Sequence, residues 1–64
     1  MNQNEKKCWR INIENAVAEA TAKAGTEVVK SVFWRYDARS LYDLSPCYYS
    51  EVFADLQQII NDCP

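Results

Sequence analysis

The run at residues 26–36, TEVVKSVFWRY, restricts the possible folds of this chain more than any other stretch. Val28, Val29, Val32, Phe33 and Tyr36 recur at i, i+1, i+4, i+5 and i+8, the spacing of an amphipathic helix. At ~100° per residue all five share one face. The β-branched valines disfavour helix slightly, a weak preference that the apolar period outweighs. Trp34 falls almost opposite, beside Lys30 and near Glu27 and Arg35. The helix therefore needs an apolar surface to pack on, and it carries a tryptophan that this packing does not use.

Size decides what that surface can be. Sixty-four residues make one domain at most. In so short a chain, apolar burial at ~25 cal/mol/Å² nearly cancels ~1.5 kcal/mol of ordering entropy per residue. Small domains often add a disulfide, a metal or a second subunit. There is no histidine, and Cys8, Cys47 and Cys63 lack CxxC-type spacing, so neither a metal nor a cofactor is expected. Three cysteines cannot all pair within one chain. No signal-peptide pattern or membrane-length apolar run is present, so a cytoplasmic, reducing location without membrane association is expected. A homodimer is the plausible remaining source of stability.

Net charge is −2, and its distribution is the more informative quantity. All seven Lys and Arg residues lie between Lys6 and Arg39. From Ser40 onward there are four acids, Asp43, Glu51, Asp55 and Asp62, and no base. Such a split can orient two copies or one partner, although solvated helix faces give the same pattern.

Residues 1–11 read as a flexible or extended N-terminal arm, polar through Lys7. Trp9 and Ile11 then lead into the core. Residues 12–63 form the single helical domain. Asn12 is placed to cap a first helix at 13–24, with Ile13, Ala16, Val17, Ala20 and Ala24 as a narrow stripe. Its small side chains permit close approach but bury little area. Gly25, the only glycine, stops this helix, and Thr26 caps the next. Asp37 tolerates the left-handed conformation that a sharp turn needs. Ser40-Leu41-Tyr42-Asp43 has capping-box form and starts one turn that buries Leu41 and Leu44. Ser45-Pro46 opens the third helix, ending near residue 61. Tyr49, Val52, Phe53, Leu56, Ile59, Ile60 and Cys63 mark its apolar face, with Glu51, Asp55, Gln58 and Asp62 on the far side. The fold class is all-α: a small three-helix bundle with a short extra helical turn near 41–44.

Arg35-Tyr36-Asp37-Ala38, then Ser40-Leu41-Tyr42-Asp43-Leu44, Tyr48-Tyr49 and Val52-Phe53-Ala54-Asp55-Leu56, together form a pattern that resembles a helical module. The module is met in short proteins of phages and other mobile elements, and as a C-terminal segment of some larger phage proteins. The resemblance runs from about residue 26 to residue 60. Asp37 stands where the pattern has its turn glycine. The resemblance implies a mostly helical adaptor of bacterial or phage origin, and it brings no catalytic or ligand-binding residue with it.

The chemistry of the side chains points the same way. Without histidine there is no Ser–His or Cys–His nucleophile. Glu51 and Asp55 are i, i+4 neighbours, but nothing suggests a desolvated pocket to tune them. One glycine cannot build a phosphate loop. Cys47 lies at a helix start, where a dipole can activate a thiol, but it reads as a bystander. We therefore expect a non-catalytic module that binds a protein partner or a second copy of itself. Trp34, Lys30, Arg35, Tyr42 and Tyr48 are the candidate contacts, since Trp and Arg are enriched at binding hot spots. The competing reading tucks Trp34 under the N-terminal arm or the first helix. Two other functions stay open. One is an accessory nucleic-acid binder using Lys23, Lys30, Arg35 and Arg39 with Trp34 stacking on a base. The third helix opposes that reading, having three acids and no base where a recognition helix would sit. The other is an inhibitor of a host enzyme or defence system, with the acidic rear half imitating phosphates.

Overall fold

The computed structural model of the chain describes residues 2–62. Within them the protein is all-α, with three α-helices, two single 3₁₀ turns and no strand.

Helix α1 spans Gln3–Ala24, 22 residues. At ~1.5 Å per residue it is about 33 Å long, so it alone runs the 35 Å long axis of the molecule. This corrects the expected arm over residues 1–11 and the expected cap at Asn12. From residue 3 onward the segment is helix, and residue 1 lies outside the described residues. The cap is Asn2, whose Oδ1 accepts the Glu5 backbone N–H at 2.8 Å. Asn2 and Glu5 stand at the two positions of a capping box. Trp9 is the other cause, lying one turn before Ile13 on the same stripe. Its half-buried indole meets Phe53 edge-on, with ring centroids 5.8 Å apart. Ile11, by contrast, is exposed rather than packed on the core.

A single residue, Gly25, joins α1 to α2, which spans Thr26–Trp34. Its N–H donates to the Thr21 carbonyl at 2.9 Å, closing α1. Its φ of 97° and ψ of 160° fall in a region open essentially to glycine alone. Gly25 also occupies the N-cap position of α2, so Thr26 is the first helical residue rather than the cap.

Helix α2 buries Val29, Val32 and Phe33. Val28 was expected on the same face but is exposed, because it lies about a quarter turn from the centre of that stripe. The helix ends in a Schellman motif. Asp37 takes φ 58°, its N–H donates to the Trp34 carbonyl at 3.2 Å, and the Ala38 N–H donates to the Phe33 carbonyl at 3.1 Å. Ala38 is buried with Phe33 in the core, which supplies the apolar contact this motif usually carries.

Leu41–Asp43 is a 3₁₀ turn that sends Leu41 inward, and Leu44 follows it into the core. Pro46–Tyr48 is a second 3₁₀ turn with Pro46 in its first position. Neither Ser40 nor Ser45 makes a side-chain cap bond; the turns close through backbone bonds instead. Helix α3 spans Tyr49–Asp62 and seals Tyr49, Val52, Leu56 and Ile60, with Phe53 and Ile59 partly buried beside them. Cys63 lies outside the described residues. Asp55 departs from the expected far side: it is half-buried and accepts a hydrogen bond from Tyr36. α1 lies along α3 more extensively than any other pair of elements pack. No buried polar or charged side chain interrupts the core among the described residues. None of the described helices is long and apolar enough to cross a membrane.

The two positive-φ joints can be tested together. A Cβ on Gly25 meets nothing within 4 Å, so any loss in Gly25→Ala reports backbone strain, expected at about 1–2 kcal/mol. Asp37→Gly should gain about 0.5–1 kcal/mol, the relief of left-handed strain less the added chain entropy. Urea unfolding of the two variants checks both signs.

Candidate functional site

The phase of α2 determines what faces outward. With Val29, Val32 and Phe33 turned in, the opposite side carries Glu27, Lys30, Trp34 and Arg35. Trp34 is 58% exposed, so the indole lies neither under the N-terminal segment nor under α1. One helical turn before it sits Lys30, an i, i+4 neighbour on the same surface.

Two grooves flank this crest. The larger, with a cavity volume of about 300 Å³, lies between α1, α2 and the turn at Leu41–Asp43. Val17, Val29, Phe33 and Leu41 give it an apolar floor, and Glu14, Lys30, Arg39 and Tyr42 stand among its lining residues. The smaller, about 200 Å³, lies between α2 and α3, with Val28, Arg35, Asp55 and Ile59 in its walls.

The five expected contact residues therefore divide. Lys30 and Tyr42 both line the larger groove, and Tyr42 is 79% exposed. Trp34 stands on the crest and Arg35 borders the smaller groove. Tyr48 belongs to a different cluster. Its ring lies against Tyr36, with centroids 5.1 Å apart and planes tilted by 39°. The Tyr36 hydroxyl donates to Asp55 Oδ2 at 2.7 Å. That bond to a carboxylate raises the Tyr36 pKa above its ordinary value, with burial and the charges of Asp55 and Glu51 adding to the rise. Tyr48 thus props the α2–α3 junction, although 38% of its surface still faces solvent.

On the other side of α3, Arg10 Nε donates to the Tyr49 hydroxyl at 3.1 Å. This gives a nearly sealed phenol its polar partner and raises the Arg10 pKa further. Cys8 and Cys47 are free and exposed. No group of three or more candidate metal-ligating side chains occurs among the described residues.

Arg39, expected only as part of a nucleic-acid surface, joins Lys30 in the lining of the larger groove. No helical period connects them, because the chain reverses at Asp37 between the two. Val17 was read only as core stripe, yet it also forms part of the groove floor. The i, i+4 relation of Lys30 and Trp34 was the one legible signal for this surface. No family model matches the chain, and no curated protein or solved structure matches it.

The Tyr36–Asp55 bond gives a pH prediction with a definite sign. The folded state holds the phenol proton more tightly than the unfolded chain does. This contribution is therefore fully present below the unfolded tyrosine pKa of about 10 and is lost as pH rises through the folded value. Tyr36→Phe should cost about 1 kcal/mol at pH 7 and flatten the stability loss in alkaline solution. Chemical unfolding of both proteins at pH 7 and above pH 10 measures the difference.

Proposed function

We propose that this chain is a small three-helix bundle acting as a non-catalytic interaction module. In this reading it is an adaptor or accessory protein of the phage or mobile-element type, working in the bacterial cytoplasm. It binds a larger protein or a second copy of itself. The observation that carries the reading is Trp34, 58% exposed on the outer face of α2 between Lys30 and Arg35. Trp and Arg are enriched at binding hot spots, and the large rigid ring of Trp excludes water from much area at little entropic cost.

A second reading, accessory nucleic-acid binding, draws on the basic start of α1, where Lys6, Lys7 and Arg10 line one surface. A gel shift at low salt separates the two, since phosphate contacts dominate non-specific affinity there. Helix α3 contributes no cation to such a surface.

Light scattering and pull-down with wild type and Trp34→Ala test the first reading. The exposed site predicts a change in fold stability within about 0.5 kcal/mol, so the variant stays folded. Association should weaken roughly 30-fold, the loss of a hot-spot residue worth about 2 kcal/mol. Monomers in both proteins, with no Trp34-dependent partner, would overturn the reading.

A further inference from the structure

We propose that the groove between α1, α2 and the turn at Leu41–Asp43 is a docking site for an acidic, apolar segment of another protein. This rests on the interaction-module reading and specifies the chemistry of its partner. The floor of Val17, Val29, Phe33 and Leu41 accepts large apolar side chains. At about 300 Å³ it sits at the lower limit of small-molecule sites, and it is open along one side. It therefore cannot enclose most of a ligand's surface, as such sites do. One or two side chains from a peptide or a helix face suit it better.

Charge selects the segment. Lys30 enters the groove from α2 and Arg39 from the loop after Asp37, against the single carboxylate of Glu14 on the α1 wall. The groove thus presents two cations to one anion around an apolar floor, an arrangement that favours carboxylates beside the inserted side chain. Tyr42, 79% exposed, extends apolar contact from the lining, while Trp34, one turn from Lys30, extends it over the crest of α2.

The acidic helix of a second copy, α3, fits the groove poorly, since it turns Val52, Leu56 and Ile60 into its own core. The residues α3 leaves exposed, among them Glu51, Ala54, Gln58 and Asp62, include no large apolar side chain to insert.

The test is selection of binders to the folded protein from a displayed library of random 16-residue peptides, followed by amide chemical-shift mapping. Recovered peptides should combine Asp or Glu with Leu, Ile, Phe or Trp, and should shift Val17, Val29, Lys30, Leu41 and Tyr42. Affinity should fall with added salt, and by at least tenfold in the double variant Lys30→Glu, Arg39→Glu. Lys30→Ala serves as a milder variant, and both are checked for an unchanged thermal transition. Recovery of no binders, a basic consensus, shifts on another face, or indifference to charge reversal would overturn the proposal. Self-association through Trp34 with the groove amides unshifted would overturn it while leaving the interaction-module reading standing. If neither Trp34→Ala nor charge reversal alters any association, both readings fall.

Discussion

The structure depends on the seam between α1 and α3. α1 offers only Ile13, Ala16 and Ala20 as fully buried side chains, so its backbone can approach α3 closely. α3 answers with Tyr49, Val52, Leu56 and Ile60, which carry most of the volume. Neither helix would hold alone: the alanine stripe buries too little area, and the α3 stripe needs a wall. The seam has no polar interruption to fix its register among the described residues. The fixing comes from its edges, where Arg10 bonds the Tyr49 hydroxyl and Trp9 meets Phe53. Both contacts come from the N-terminal half of α1, so the early helix is part of the domain rather than an appendage.

Given that seam, α2 has little freedom. It is nine residues long and held at both ends by residues with positive φ. Gly25 sets where α2 leaves α1, and Asp37 sets where the chain turns back toward α3. Between them the helix can present only one stripe inward. The Tyr36 hydroxyl then ties the end of α2 to Asp55, a polar contact that fixes orientation more than it adds burial. The spaces beside this short helix, not filled by α1 or α3, are the two grooves.

Periodicity made α2 and α3 legible, and the turn residues Gly25 and Asp37 announced themselves by type. The start of α1 was legible but misread. Residues 2–7 carry no apolar side chain, and that polarity reads as disorder. The Asn2–Glu5 capping pair and the phase of Trp9 with Ile13 both contained the answer. Asp55 failed for a different reason. On a helical wheel it lies about 100° from Leu56, at the flank of the apolar stripe, and the C-terminal end of α2 is near enough for Tyr36 to reach it. Such a contact, between residues 19 positions apart, leaves no trace in local pattern. The same limit leaves the groove that Lys30 and Arg39 both line without a local signal, while Trp34 is readable because its exposure follows from helix phase alone.

That last point explains why the indole stays outside. A chain that fills core positions with Ala16, Ala20 and Ala38 is short of apolar volume, and an inward tryptophan would supply it. Yet Trp34 sits nearly 150° around α2 from the buried stripe at ~100° per residue. Bringing it in by rotation would expose Val29, Val32 and Phe33 together, a far larger loss of burial than one indole restores. Gly25 and the Schellman closure at Asp37 leave no slack for a half-turn slip. Among the described residues the fold therefore holds the indole on the outer face of α2.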